Sequence, residues 1–201
     1  MVVVRSPAGG SRQARRNRIE QTALALFRAR GFDQVTVSDV CAAAGVAPAT
    51  FYRYFGTKEE VVFAYQVGFT TALDEALAAA AAVPEADRLR VVLGSFASFL
   101  ESQQDLLSLR DQIVLGHRGL MQRTLSVQRD LEAALAAGLA QLRGEPEPDA
   151  AALLEAGAGL LALRVGVRMW RAGEEDSLPR ATHRALVRLH RLFADVAVAG
   201  E

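Results

Sequence analysis

The sequence predicts an all-α protein of about nine helices, with a small three-helix unit at the N-terminus and a larger helical body behind it. Its 201 residues are 51% hydrophobic. Alanine and leucine dominate, a composition typical of packed helices rather than of a disordered chain. Apolar residues recur at spacings of three and four, the period of a helix, and no segment has the alternating pattern of a strand.

The segment 35–58 has the pattern of two short helices joined by a glycine turn. Thr36 is a favourable N-cap for a helix that begins at Val37, and Asp39 can complete a capping box with it. Gly45 supplies the left-handed conformation that ends such a helix. This is the pattern of a helix-turn-helix reader of DNA.

The second helix of this pair begins at Pro48, where the missing N–H costs nothing, and extends to Tyr54 before Gly56 ends it. At 100° per residue Phe51 and Phe55 share one face, which we predict to be buried. The other side combines methyls, hydroxyls and a guanidinium, groups that bind base edges in a major groove. Its residues are Ala49, Thr50, Tyr52 and Arg53.

Two further side chains flank this surface. Tyr54 lies toward its edge, where a hydroxyl can reach a phosphate. Lys58 lies in the first turn of the next helix, where its charge and the free backbone N–H groups can bind a phosphate together.

The alternative to a DNA-binding motif is a pair of helices, joined by a glycine turn, that binds no DNA. The coincidence of cap, turn glycine, first-turn proline and polar outer face favours DNA binding.

The charge distribution agrees with that interpretation. Residues 1–58 contain nine basic residues and three acidic ones, a net charge of +6, so the remainder carries −6 because the total is zero. A basic end on an acidic body is typical of nucleic-acid binding by that end. A solvated basic tail in front of the fold is the alternative.

Residues 18–65 resemble the N-terminal domain of TetR family transcriptional repressors. The resemblance includes Arg30-Gly31-Phe32, the Thr36 cap, Ala43 to Val46 and the run Thr50 to Phe55. It implies a helix-turn-helix DNA-binding domain at 11–56 and a ligand-binding and dimerisation domain at 57–201. The proline and glycines of residues 1–10 indicate a flexible arm. The resemblance also implies these DNA contacts: Thr36, Ser38, Pro48, Ala49, Thr50, Tyr52, Arg53, Tyr54 and Lys58.

The body shows six amphipathic segments, separated by weak breaks that contain glycine or proline. The first of them continues from the DNA-binding end into the body, so we interpret it as a lever. A glycine-flanked corner at 116–119 is either a hinge next to the DNA-binding domain or an exposed loop. The predicted helices are 57–82, 85–103, 105–115, 119–143, 149–172 and 179–198.

The resemblance implies a small effector enclosed by the body helices, although the same apolar residues by default form a core. We expect an apolar effector. Residues 106–170 resemble TetR relatives of the mycofactocin system, which points to an acyl-CoA or fatty acyl ligand. The candidate lining residues are Phe63, Gln66, Val67, Phe96, Phe99, Leu100, Leu107, Ile113, His117, Met121, Leu125, Arg164 and Trp170.

The last two helices are the candidate dimer interface. Small residues in 149–172 permit close helix approach, and 179–198 has a single apolar stripe. Paired with a second copy they would form a four-helix interface, whereas the alternative is burial against the chain's own body. The candidate residues are Leu153, Gly157, Leu160, Leu161, Leu186, Leu189 and Phe193.

Other classes of function find little support in the sequence. We recognise no catalytic motif, and His183 and His190 lack the carboxylate or thiolate company of a metal site, so we expect neither an enzyme nor a cofactor. No segment approaches the roughly 20 apolar residues of a membrane span, so we expect a cytoplasmic protein. The main alternative to a regulator is a ligand-buffering or protein-interaction bundle that no longer binds an operator.

Overall fold

The computed structural model describes the backbone of residues 7–198 and the side chains of residues 12–192. This part of the chain is entirely α-helical apart from turns and loops, as predicted. All nine predicted helices are present, and one of them is divided in two. The helices are α1 (Pro7–Arg30), α2 (Val37–Ala44), α3 (Pro48–Tyr54), α4 (Lys58–Val62), α5 (Gln66–Ala80), α6 (Glu85–Ser102), α7 (Gln104–Leu115), α8 (Arg118–Arg143), α9 (Ala150–Arg171) and α10 (Leu178–Val198).

The predicted N-terminal arm overlaps the first helix. Because α1 begins at Pro7, the last four residues of the arm are helical. Residues 1–6 lie outside the described part of the chain.

The prediction of one lever helix over 57–82 is wrong. The chain forms α4 and α5 with a joint of three non-helical residues, 63–65, between them. The four consecutive residues 61–64 are all buried. Four consecutive residues of a regular helix spread over about 300°, so a regular helix would not place all four in one core. Burial therefore overrides helical continuity, and the joint uses tight bonds such as that from the N–H of Gln66 to the carbonyl of Phe63.

The chain divides into two compact units, and the boundary differs from the predicted one at residue 56. The first unit contains the described residues up to Gln66 together with Asp105–Thr124. The second contains Val67–Gln104 and the described residues from Leu125 onward. Helices α4 and α7 and the beginning of α8, which the sequence assigned to the body, therefore pack with the helix-turn-helix.

The core of the first unit joins α1 to the two short helices. Its largest fully buried side chains come from α1, from the loop before α2, from α2, α3 and α4, and from the beginning of α8. Phe51 attaches α3 to this core. These side chains are Ile19, Leu24, Phe27, Val35, Val40, Phe51, Val61, Val62 and Leu120.

In the second unit α10 packs against both α9 and α6, and α9 also contacts α6. A Cβ on Gly166 would lie 2.7 Å from the backbone nitrogen of Thr182, so this glycine is what allows α9 and α10 to approach so closely. Phe69, Phe96 and Phe99 form an aromatic cluster, with ring centroids 5.5 to 6.2 Å apart.

By length and composition alone, helix α9 is long and apolar enough to cross a membrane. The prediction that no segment approaches such a span is therefore wrong. Seven of its residues are nevertheless buried, with Ala152, Gly159 and Met169 among them. Core helices of soluble proteins pass the same test, so this is weak evidence for a membrane segment.

Candidate nucleic-acid interface

The predicted caps of α2 are confirmed. The Thr36 hydroxyl accepts a bond from the N–H of Asp39 at 3.1 Å, and the Asp39 carboxylate accepts one from the N–H of Thr36 at 2.8 Å. The Thr36 hydroxyl also donates to the Asp39 carboxylate. This bond and the one from the Thr36 N–H hold the pKa of Asp39 below its ordinary value, because both favour the charged carboxylate. Gly45 ends the helix at φ 63°, ψ 43°, the left-handed conformation that was predicted.

The orientation of α3 is also confirmed. Phe51 is fully buried and Phe55 is nearly so, with their ring centroids 5.7 Å apart. Tyr52 is 57% exposed, and Arg53 is exposed as well. Its guanidinium lies 5.3 Å from the ring centroid of Tyr54, which extends the polar surface along the helix.

The other predicted contact residues around α3 remain accessible. Pro48 and Ala49 are exposed and Thr50 is half-buried at the start of the helix. On the α2 side Thr36 and Ser38 are exposed, although the Thr36 hydroxyl is already engaged by Asp39. We call this set the reading face: Thr36, Ser38, Pro48, Ala49, Thr50, Tyr52, Arg53 and Tyr54.

Lys58 has an internal role that the sequence did not predict. Its ammonium donates to the carbonyl oxygens of Phe32 at 2.9 Å and Val35 at 3.2 Å, and lies 4.4 Å from the Phe32 ring centroid. Two of its three N–H donors therefore tie α4 to the loop before α2. The third N–H donor of Lys58 remains for the predicted contact with a phosphate.

Thr57 and Glu60 cap the start of α4. The Thr57 hydroxyl accepts from the N–H of Glu60 at 3.2 Å. The Glu60 carboxylate, however, accepts from the N–H of Gly56 at 2.8 Å rather than from that of Thr57. The start of α4 is capped in either arrangement.

Exposed arginines on α1 account for much of the basic charge in the first unit. Arg12, Arg15, Arg18, Arg28 and Arg30 are all exposed. Their charge is available to a polyanion and would make its binding depend on salt.

A buried ion pair in the first unit was missed by the sequence analysis. Glu20 of α1 accepts a bond from Arg110 of α7, and both side chains are almost completely buried. Burial raises the pKa of Glu20 and lowers that of Arg110, although each partner favours the charged form of the other. The sequence did contain one sign of a buried charge, because Glu20 lies on the same face of α1 as Leu24 and Phe27. Its partner lies 90 positions away, so no local pattern reveals it.

The corner at 116–119 packs in the first unit. His117 Nε2 lies 3.1 Å from Asp33 Oδ1, and its ring lies 5.0 Å from that of Phe32. His117 Nδ1 accepts a bond from the N–H of Leu120 at 3.2 Å, so the ring also caps α8. The corner is therefore attached to the loop before α2, as the hinge interpretation requires.

The candidate ligand residues are distributed over both units. In the first unit Ile113 and His117 line a hollow of about 390 Å³ with Phe27 and Phe32. Phe63, Gln66, Leu107 and Met121 also belong to the first unit. The second unit holds Val67, Phe96, Phe99, Leu100, Leu125, Arg164 and Trp170.

Several of these residues are not enclosed. Val67 and Leu125 are more than half exposed, and Met121 and Arg164 are also exposed. Trp170 packs against the cluster of Ala162, Met169, Ala181 and Ala185 between α9 and α10. A second hollow, of about 400 Å³ between α6 and α10, is lined by none of the predicted ligand residues; it is bordered by Arg90, Leu93, Gly94, Pro179, Arg180, Thr182, His183 and Leu186.

The candidate dimer residues divide into two groups. On α9, Leu153 and Leu161 are exposed, and Gly157 and Leu160 are half-buried. Leu154 and Val165, which were not predicted, extend the exposed apolar surface. On α10, Leu186 packs against the chain's own cluster and Leu189 is half-buried. The side chain of Phe193 lies outside the described residues.

Among the described residues, no group of three or more histidine, cysteine or acidic side chains is placed to hold a metal ion. Cys41 is buried next to the turn, where burial raises the pKa of its thiol.

The family model for bacterial regulatory proteins of the tetR family matches residues 19–65. Residues 19–65 therefore form a DNA-binding domain of the TetR family type. The matched residues contain α2, α3 and the whole reading face, so the resemblance inferred from the motifs is confirmed.

Two named relatives share part of the chain. TcmR from Streptomyces glaucescens, an HTH-type transcriptional regulator, is 36% identical over 92 residues, which are 45% of this chain and 39% of TcmR. MftR from Mycobacterium tuberculosis, described as a mycofactocin biosynthesis transcriptional regulator, is 38% identical over 56 residues, 28% of each protein. The chain thus spans well under half the length of either relative.

Solved TetR-family structures share the fold of nearly the whole chain. A regulator from Syntrophomonas wolfei has a TM-score of 0.67 at 18% identity, covering 90% of this chain and 95% of its own. FadR from Thermus thermophilus, solved with lauroyl-CoA, has a TM-score of 0.55 at 23% identity, covering 87% and 92%. The SmeT–triclosan complex has a TM-score of 0.60 at 20% identity, covering 88% and 90%. At these identities the likeness concerns the fold.

Proposed function

We propose that this TetR-family regulator is a repressor that binds a palindromic operator as a homodimer and is released by a small apolar ligand. The observation that carries the proposal is the orientation of α3. Phe51 and Phe55 anchor the helix from behind, while Tyr52 and Arg53 extend into solvent beside small residues that permit close approach to a duplex. A helix of seven residues with this face fits a major groove.

The exposed arginines of α1 support the same role. They supply charge for phosphate contacts, which position a protein on DNA without reading its sequence. The reading face then supplies sequence discrimination. Binding that combines phosphate contacts with base contacts should weaken steeply as salt is added and should also prefer one DNA site.

Homodimerisation is supported by the apolar surface of α9. Leu154 and Leu161 lie two helical turns apart on its exposed side, and Val165 follows one turn later. Gly157 and Ala158 lie between them and permit close contact with a second helix. A two-fold dimer would place two copies of the reading face on two half-sites, which matches a palindromic operator.

The proposed effector is apolar, and acyl-CoA and fatty acyl compounds are the candidates. The second unit provides aromatic surface at Phe69, Phe96 and Phe99. FadR was solved with lauroyl-CoA and SmeT with triclosan, so this fold accommodates apolar ligands in other proteins. A thermal-shift panel of acyl-CoAs, fatty acids and aromatic compounds tests the proposal; an apolar compound that raises the melting temperature supports it.

Operator binding is tested with the DNA upstream of the protein's own gene. The dissociation constant is measured at several salt concentrations, with a scrambled duplex of equal length as competitor. We expect specific binding at least about a thousandfold tighter than binding to the scrambled duplex. Equal affinity for both duplexes would contradict the proposal and favour a bundle that binds ligand or protein but no operator.

A further inference from the structure

The joint 63–65 lies near the end of the first of two chain segments that form the first unit, since the chain leaves this unit after Gln66 and returns to it at Asp105. Three arginines of the first unit contact the joint: Arg16 on α1, Arg110 on α7 and Arg123 on α8, whose guanidinium lies 5.0 Å from the ring centroid of Phe63. Arg16 and Arg110 are both paired with Glu20.

The contact from α1 is a hydrogen bond to the backbone of the joint. Arg16 Nη2 donates to the carbonyl oxygen of Ala64 at 3.2 Å. The same guanidinium lies 5.3 Å from the ring centroid of Phe55, the residue that ends α3. Arg16 thus links the end of α3 to the joint.

The contact from α7 is made to a side chain of the joint. The guanidinium of Arg110 lies 4.7 Å from the ring centroid of Tyr65, a favourable cation–π distance. Arg110 is 2% exposed, so this contact is shielded from water. It holds the side of the joint that leads into α5.

Glu20 is the residue that the two arginines share. One carboxylate oxygen accepts a bond from Arg110 Nη2, and the other lies 3.9 Å from Arg16 Nη1. Without this carboxylate, two like charges would remain together near the joint. Glu20 therefore orients both arginines at once.

Stability alone does not explain the cluster. Arg110 Nε and Nη1 are buried without a hydrogen-bond partner, and each unsatisfied donor costs free energy. A buried pair of this kind is often no more stable than apolar residues of similar size. What such a cluster provides is a fixed geometry.

We propose that Glu20 is a positioning residue, which holds the joint in one geometry through Arg16 and Arg110. In a dimer this would fix the separation of the two reading faces and make the protein selective for the spacing of half-sites. The selectivity for half-site spacing rests on the proposed function, whereas the fixed geometry of the joint concerns the folded chain alone.

The test variant removes both buried charges while keeping side-chain bulk, Glu20→Gln with Arg110→Met. The matched control is Asp87→Asn with Arg90→Met, an exposed pair with its atoms 2.9 Å apart in the second unit. Hydrogen exchange of the backbone amides of 63–68 reports local opening. We expect exchange there to become at least about tenfold faster in the test variant and to stay unchanged in the control. Unchanged exchange in a folded test variant overturns the proposal.

A second readout separates positioning from simple weakening. Affinity is measured for a palindromic duplex enriched from a random pool, for the same duplex with one base pair inserted between its half-sites, and for one half-site alone. We expect the preference for the uninserted duplex to fall about fivefold or more in the test variant, with half-site affinity unchanged. An equal loss for all three duplexes overturns the positioning role.

The two proposals fail in different ways. If the wild-type protein prefers no duplex, the proposed function fails, and the exchange measurement still decides the role of Glu20. If the test variant does not fold, Tyr65→Leu removes the ring beneath Arg110 and keeps both charges. Faster exchange in 63–68 of that variant supports the proposal, and unchanged exchange overturns it.

Discussion

At the scale of single residues, Tyr52 and Arg53 carry the proposed reading of DNA. Their side chains are exposed, although the Tyr52 ring also contacts that of Phe51, with centroids 5.6 Å apart. Replacing either with alanine should cost about 1–3 kcal/mol of operator binding, the value of a good base contact, and change the melting temperature little. Fluorescence anisotropy with labelled duplex measures the first quantity, and calorimetry measures the second.

Arg129→Ala is the matched control for Arg53→Ala, because Arg129 is an equally exposed arginine on α8 in the second unit. We expect it to leave operator affinity nearly unchanged. If both variants lost affinity equally, Arg53 would act only through general charge.

The Thr36–Asp39 capping box should make stability depend on pH. Because the pKa of Asp39 is lowered in the folded chain, its carboxylate stabilises the fold above its unfolded pKa of about 3.9, and this contribution is lost as the pH falls through the folded value. Wild type should therefore be more stable than Asp39→Asn at neutral pH, and the difference should shrink below about pH 4. Urea unfolding across this range measures it; a difference that grew in acid would contradict the assignment.

At the scale of helices, the sequence predicts correctly those elements whose ends are set by their own neighbouring residues. Thr36, Gly45 and Pro48 specify the ends of α2 and α3 through their own backbones, so the sequence predicts these helices and their orientation. The joint at 63–65 buries four consecutive residues, 61–64, and contacts Arg16 and Arg110, which lie far away in the chain. The apolar run lies within 57–82, but the residues that it packs against and contacts do not.

The crossing of α9 and α10 offers a matched pair of glycine substitutions. A Cβ at Gly166 would lie 2.7 to 2.8 Å from backbone atoms of Thr182, so Gly166→Ala should destabilise the fold by about 1–3 kcal/mol. Gly94 of α6 has no atom within 4 Å of its Cβ position, so Gly94→Ala should stabilise by about 0.5–1 kcal/mol. Chemical unfolding measures both; the same sign for the two variants would refute this account of the crossing.

At the scale of the whole molecule, the sequence offered two alternatives for α9, contact with a second copy or burial against the chain's own body. Its small residues at 159 and 166 serve the chain's own core, since their Cβ positions meet Leu89, Leu93 and Thr182. The exposed leucines of α9 are the surface that we propose for a second copy. The sequence did not indicate which residues of α9 serve the chain's own core.

The dimer is tested by placing a charge on that exposed surface. Leu161→Glu should weaken dimerisation at least about tenfold, because a carboxylate would be buried in an apolar interface. Leu115→Glu, at an exposed leucine of α7, is the matched control and should change nothing. Analytical ultracentrifugation measures both; a monomeric wild type, or dimers of equal strength in all three proteins, would contradict the proposed interface.

The central claim is that the exposed side of α3 reads duplex DNA. The most direct measurement is enrichment of bound sites from a pool of random duplexes, carried out in parallel with wild type and with the double variant Tyr52→Ala/Arg53→Ala. The account predicts that wild type enriches one motif with two-fold symmetry and that the double variant does not. Absence of any enriched motif with wild type, or the same motif with both proteins, would contradict it.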